Sequence, residues 1–223
     1  MKERRITMKG SVIVFFCFLL FSTFSLVSCS ETEEGTTSSE FTNWLSKNNE
    51  FMDELVERYK ANPTAWVRLK KNLQDKVVVV EPDEVTDDDE DYVYAEILST
   101  GSSTSSILYT DSVRLHYFGH LIPTEEHPNG YVFDQSFSGD SWADFNARVA
   151  VPRKFAVNAM VVGFSTALQK MHVGDSWKVY IPYQLAYGET ASSSIPAYST
   201  LIFEIAVADV WHPGETRPVF KSR

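Results

Sequence analysis

Residues 155–210 read FAVNAMVVGFSTALQKMHVGDSWKVYIPYQLAYGETASSSIPAYSTLIFEIAVADV. The apolar run at 160–162 is stopped by Gly163, and Phe164, Ala167, Leu168 and Met171 follow at helical spacing. His172 closes that segment and Gly174 supplies a turn. Trp177, Val179 and Ile181 then alternate with polar neighbours, as in a half-buried strand. A turn-rich stretch at 182–196 leads into a second strand at 201–207. Strand, short helix, strand, long loop and strand describe a small α+β unit wrapped around one helix from about Phe164 to Met171.

Outward from this stretch the same unit continues. Residues 92–98 alternate as a strand, residues 101–106 are a Gly/Ser turn, and residues 112–121 make a longer strand. The local wording is more specific than the pattern. VVGFSTALQKMHVGD (161–175), IPYQLAYGE (181–189), IPAYSTLIFEIAVADV (195–210), SVRLHYFGHL (112–121) and GYVFDQSF (130–137) stand in the order, and at roughly the spacing, of one family. Together they resemble the FK506-binding (FKBP) peptidyl-prolyl isomerases over about half the chain. The resemblance implies a curved antiparallel sheet wrapped around one short helix, here with a helical N-terminal extension.

The chemistry such a site performs is rotation about an X-Pro bond. Amide resonance sets a barrier of roughly 18–20 kcal/mol, and no nucleophile is required. The twisted amide is less polar than the planar one, so a water-excluding, aromatic-walled socket favours it. The resemblance implies that Tyr117, Phe133, Val161, Phe164, Ile181, Tyr187, Ile195 and Phe203 line that socket. Phe164 would be its floor, and Tyr187 would donate to a substrate carbonyl. The Val161 amide would pair with the peptide backbone, and Asp134 would orient Tyr117 and face the amide. It also implies proline-containing exported polypeptides as substrates, a macrolide of the FK506 type as a possible ligand, and no cofactor. Three departures stand out. The floor residue is Phe164 where the family usually has Trp, Ala197-Tyr198 replaces a second proline after Ile195-Pro196, and the basic partner of Asp134 is either Arg148 or Arg153. The altered floor and the extra N-terminal helical segment favour a competing reading, a binding or chaperone module with weak turnover in an envelope assembly, while the retained Tyr117, Phe133-Asp134, Ile181 and Tyr187 favour activity.

Composition narrows the partners. The net charge is −10 and the basic residues beyond residue 10 form no run longer than the pairs Lys70-Lys71 and Arg153-Lys154, which argues against nucleic acid. Both cysteines, Cys17 and Cys29, fall in the first thirty residues, so neither a disulfide nor a cysteine metal site is expected in the rest. The five histidines show no HExxH spacing, and no metal site is expected. Gly163-Phe164-Ser165-Thr166-Ala167 has the look of a nucleophile elbow, but too few residues follow it to complete an α/β-hydrolase.

Residues 1–28 have a basic start (Lys2, Arg4, Arg5, Lys9), an apolar run at 11–27, and LVSC ending at Cys29. That is a secretory signal, and LVSC resembles the bacterial lipobox, with Cys29 lipidated. The expected location is the bacterial cell envelope, as an outer-membrane lipoprotein facing the periplasm or the outside. Residues 29–40, rich in Ser, Thr and Glu, read as a flexible tether. Residues 41–76 read as a helical extension. Phe41, Trp44, Leu45, Phe51, Met52, Leu55, Val56 and Tyr59 fall largely on one face, Asn62-Pro63 ends the run, and a second short helix is expected over 64–73. That face is expected to pack on the domain or on a twin, as a possible homodimer. Residues 77–91 read as a strand and an acidic connector, 92–211 as the isomerase domain, and 212–223 as a tail. The turn at 123–130 and the stretch between Asp134 and Phe155 are expanded, and such loops carry specificity.

Overall fold

The computed structural model describes residues 39–71, 78–79, 89–217 and 219–220. The signal segment, Cys29, the tether up to residue 38 and the acidic run at 81–88 lie outside the described residues. The described residues belong to one compact unit. None of their helices is long and apolar enough to cross a membrane.

Eight antiparallel strands are described: β1 (Trp66–Lys70), β2 (Val78–Val79), β3 (Tyr92–Ser99), β4 (Ser112–His120), β5 (Val132–Gln135), β6 (Arg153–Ala156), β7 (Ser176–Ile181) and β8 (Leu201–Trp211). Their order is β2-β1-β3-β7-β8-β4-β5, with β6 also on β4. The sheet's two faces follow from the period of two. Val93, Ala95, Val179, Ile181, Phe203, Ile205 and Tyr117 share one face by register, and helix α2 (Val162–Leu168) packs there. Tyr94, Tyr180, Ile202, Phe118 and His116 share the other.

α2 begins earlier than its apolar pattern suggests. Gly163 does not stop the preceding run; it lies inside the helix, because a Cβ there would come within 2.3 Å of Ile181 Cγ2. The residue is small so that helix and strand can close on each other. Met171 and His172 fall beyond the helix end, in a turn held by Asp175, whose carboxylate accepts from the N–H groups of His172 (2.8 Å) and Gly101 (2.6 Å). β8 also runs longer than the expected 201–207, through Trp211.

The N-terminal extension is a single long helix, α1 (Trp44–Ala61), with Trp44, Asn48, Leu55, Val56 and Tyr59 buried along one face. It covers the sheet face opposite α2: Tyr59 meets Tyr94 edge-on (5.5 Å) and Phe51 lies 6.2 Å from Tyr180. Two hydrogen bonds tie it to the start of β8, Trp44 Nε1 to Ser199 Oγ (2.8 Å) and Thr200 N to Asn48 Oδ1 (2.7 Å). The second helix expected over 64–73 does not form in its described part, residues 64–71. Pro63–Ala65 is a 3-10 turn and Trp66–Lys70 is a strand paired along its whole length with β3. Trp66 and Leu69 stand three apart, a helical spacing, whereas alternation puts them on opposite faces of the sheet; the pairing, and the stacking of Trp66 on Tyr180 at 5.6 Å, decide for the strand. The end of the expected tether is fixed too: Ser39–Phe41 is a 3-10 turn, and Glu40 accepts hydrogen bonds from Thr124 and His127 of the expanded 123–130 loop.

Candidate active site

On the α2 face, β4, β5, β8 and α2 bring aromatic rings to one place. Phe203 of β8 is the hub. Phe164 of α2 meets it edge-on at 4.8 Å and 87°, Phe133 of β5 edge-on at 5.3 Å and 84°, and Tyr117 of β4 at 6.5 Å. Edge-to-face pairs at these distances add to the burial of each ring. Gly119 makes room for them: a Cβ there would stand 2.6 Å from Phe203 and 2.7 Å from Phe133. Phe164 is 1% exposed and Phe203 7%, whereas Phe133 is only partly buried, so the cluster is dry at its base and open at the Phe133 edge.

A polar rim crosses one end. Tyr117 Oη donates to Asp134 Oδ2 at 2.7 Å and accepts from Arg153 Nη1 at 3.1 Å, and the same Nη1 donates to Asp134 Oδ1 at 3.2 Å. Arg153 is therefore the basic partner, delivered by the pairing of β6 with β4; Arg148 is exposed in the preceding loop. The backbone of Tyr117 is clamped as well, its N–H donating to Ser136 Oγ (2.8 Å) and its carbonyl accepting from Ser136 N (2.9 Å). Burial, and then the bond to Asp134, push the Tyr117 phenol far above its ordinary pKa, so it stays protonated. Its proton is committed to Asp134. Phe155, which the motifs did not single out, meets Tyr117 edge-on at 5.5 Å; its place on β6, the strand that also delivers Arg153, was the available signal.

The remaining expected residues lie on α2, β7 and the β7–β8 loop. Ile181 is fully buried at the end of β7, beneath Gly163. Val161 is the N-cap of α2, where a backbone N–H has no intrahelical partner. Tyr187 and Ile195 come from the β7–β8 loop. Ile195 is 7% exposed and paired with Ser192; Tyr187 is 45% exposed at the turn after Tyr183–Leu185. In the same loop Tyr198 has a φ of 61°, a left-handed conformation closed to proline, with its N–H on Gly188 O and its ring 5.4 Å from Tyr183. Ser165 is 1% exposed and donates to Val157 O at 2.6 Å, so it is a core residue whose hydroxyl hydrogen is spent on the backbone. Among the described residues no three His, Cys, Asp or Glu side chains stand together as a metal site.

Residues 104–208 match the model of the FKBP-type peptidyl-prolyl cis-trans isomerase family. This segment is an FKBP-type domain. Among curated proteins it is similar to the FKBP-type 22 kDa peptidyl-prolyl cis-trans isomerase of Escherichia coli, 40% identical over 102 residues, 45% of this chain and 42% of that protein. It is also similar to the peptidyl-prolyl cis-trans isomerase Mip of Coxiella burnetii, 33% identical over 116 residues, 52% of this chain and 43% of that one. The chain thus spans about half the length of these relatives or less. The FKBP-type fold agrees with two crystal structures. FkpA from Escherichia coli has a TM-score of 0.51 at 21% identity, covering 76% of this chain and 62% of that one. An isomerase from Pseudomonas syringae has a TM-score of 0.50 at 23% identity, covering 78% and 98%.

Proposed function

We propose that the FKBP-type domain catalyses cis-trans isomerisation of X-Pro bonds in exported polypeptides. The observation that carries this reading is the joining of two things on one sheet face: a dry edge-to-face cluster of Phe164, Phe203 and Phe133, and the Tyr117–Asp134–Arg153 rim. A proline ring against Phe203 and Phe133 would bring its preceding amide to the rim, out of water. There the less polar twisted amide loses less solvation than the planar one, and each ~1.4 kcal/mol of that difference is tenfold in rate. Asp134 acts through Tyr117, fixing its ring and accepting its hydrogen bond. That leaves the exposed Tyr187 hydroxyl to donate to the substrate carbonyl and the Val161 amide to pair with the peptide backbone, over Ile181 and Ile195.

Several finer features belong to the same reading. The basic start, apolar run and LVSC motif support lipidation at Cys29 and an outer-membrane location in a bacterial envelope, with residues 92–211 as the isomerase domain. A macrolide of the FK506 type would occupy the same aromatic socket. A homodimer through α1 has less motive, because the apolar face of that helix is spent on its own sheet. One observation favours the binding-only reading: Phe164 supplies no indole N–H at the floor. Exchange spectroscopy on an X-Pro peptide separates the two. Faster cis-trans exchange with the purified chain supports the isomerase; peptide binding with unchanged exchange decides for the binding module.

A further inference from the structure

The β7–β8 loop, residues 182–200, meets α1 at both of its ends. At the β8 end, Ser199 Oγ accepts from Trp44 Nε1 at 2.8 Å and donates to Pro196 O at 2.7 Å, and Thr200 N donates to Asn48 Oδ1 at 2.7 Å. At the β7 end, Pro182, Tyr183 and Gln184 share a hollow with Asn49, Met52 and Asp53 of α1. The bonds at the β8 end are dry, because Trp44, Asn48, Ser199 and Thr200 are all buried. Asn48 follows Trp44 by one helical turn and donates to its carbonyl at 2.8 Å, so the two side chains leave α1 on one face. Buried hydrogen bonds of this kind are costly to leave unmade, which fixes Ser199 and Thr200 to the helix.

The restraint spreads along the loop. Ser199 grips the carbonyl of Pro196, the residue after Ile195. Tyr198 N donates to Gly188 O at 2.9 Å and Gly188 N donates to Tyr183 O at 2.8 Å, which closes the segment that carries Tyr187. Ala197-Tyr198 stands where a second proline would fix φ by its ring. Here the same stretch is held by hydrogen bonds, with Tyr198 at a φ of 61° between Pro196 and the two residues bound to α1.

We propose that α1 braces the substrate loop, and that Trp44, Asn48 and Ser199 are positioning residues that hold Tyr187 and Ile195 in the arrangement that binds an X-Pro peptide. The proposal rests on the isomerase reading, which puts those two residues at the socket. α1 packs on the sheet face opposite α2, so it reaches the site through the loop and not by contact with substrate. The N-terminal extension then has a part in recognition besides covering the sheet. A loop released from α1 spends only part of its time in the competent arrangement, and apparent affinity falls by that fraction. Once peptide is bound the arrangement is complete. The loss therefore falls on KM and not on kcat.

The test uses the full chain with Trp44→Phe, which keeps a ring but loses Nε1–H, and with Ser199→Ala on the loop itself, so that a folding failure in one leaves the other. Cis-trans exchange of an X-Pro peptide gives kcat and KM, and hydrogen exchange of the Tyr198 amide, without peptide, reports loop order. Each variant should raise KM about fivefold, the worth of one hydrogen bond, with kcat unchanged and with the Tyr198 amide exchanging about fivefold faster or more. The double variant should lose no more than Ser199→Ala alone, because both remove the same bond. A lower unfolding midpoint with KM unchanged would overturn the proposal, since loss of stability alone leaves the folded fraction binding as before. Unchanged Tyr198 exchange in both variants, or additive losses, would overturn it too. A wild type that binds the peptide without catalysis removes the isomerase reading alone; the brace then predicts the same fivefold or so rise in Kd. A wild type that neither binds nor catalyses overturns both.

Discussion

The Tyr117 hydroxyl shows how much of the site is decided by single groups. It donates a hydrogen bond to Asp134 and accepts one from Arg153, so both of its directions are used. In the proposed mechanism the substrate-facing donor is Tyr187, and Tyr187→Phe should lower kcat/KM for a proline peptide by about five- to thirtyfold, the worth of roughly 1–2 kcal/mol in one hydrogen bond, with the thermal midpoint unchanged. Phe164→Trp tests the floor differently. Phe164 is 1% exposed and edge-on to Phe203, so the larger ring has no free space. Overpacking of about 1–3 kcal/mol is expected, read as a lower denaturation midpoint. The aromatic members of the cluster were legible in the motifs because their types and spacing are distinctive. The choice between Arg148 and Arg153 was not, since it rests on the register of β6 against β4 after a long irregular loop.

At the scale of elements, the core strands and α2 were legible from alternation and helical spacing, because one face of each is buried. The misreading came where a short segment has too few apolar residues to fix its period. Trp66 and Leu69 suit a helix, and only the partnership with β3, fixed far along the chain, makes them a strand. Nor did periodicity show that α1 is tied by polar bonds. Asn48 is fully buried, donating to Trp44 O and accepting from Thr200 N. Asn48→Ala leaves a buried N–H unpaired and should destabilise the fold by about 1–3 kcal/mol, measurable by denaturant unfolding. The tail has its own tie: His212 Nδ1 lies 2.8 Å from the buried Asp111, which also accepts from Leu108 N. The hydrogen bond to Asp111, then its charge, raises the His212 pKa above its ordinary value. A raised folded-state pKa means the contribution is full below the unfolded value of about 6.5 and is lost as pH rises through the higher folded one. NMR titration should therefore place the His212 midpoint above that of a free histidine, and Asp111→Asn should return it.

Across the whole molecule, one sheet serves two faces. The α2 side gathers the aromatic socket, and the other side is covered by α1, the expanded loop and the tail. The expanded segments do not all crowd the proposed proline site: Phe137 and Phe145 pack behind the sheet on Phe118 and His116, and the 123–130 loop grips Glu40. Sequence alone placed these loops on the surface but not on a face, because their positions depend on aromatic contacts with strands far away in the chain. Upstream of the fold, Cys29→Ala should release the protein from membranes or block its processing, read by fractionation and mature mass; unchanged behaviour would remove the lipid anchor from the picture. The socket itself is tested most directly by the rate of cis-trans exchange of an X-Pro peptide with the wild-type chain and with Phe133→Ala, Asp134→Val and Tyr187→Phe. Catalysis by the wild type, with Asp134→Val losing at least as much as Tyr187→Phe and Phe133→Ala losing the most, is the expected result. A catalysed rate indifferent to all three substitutions would place the active site elsewhere.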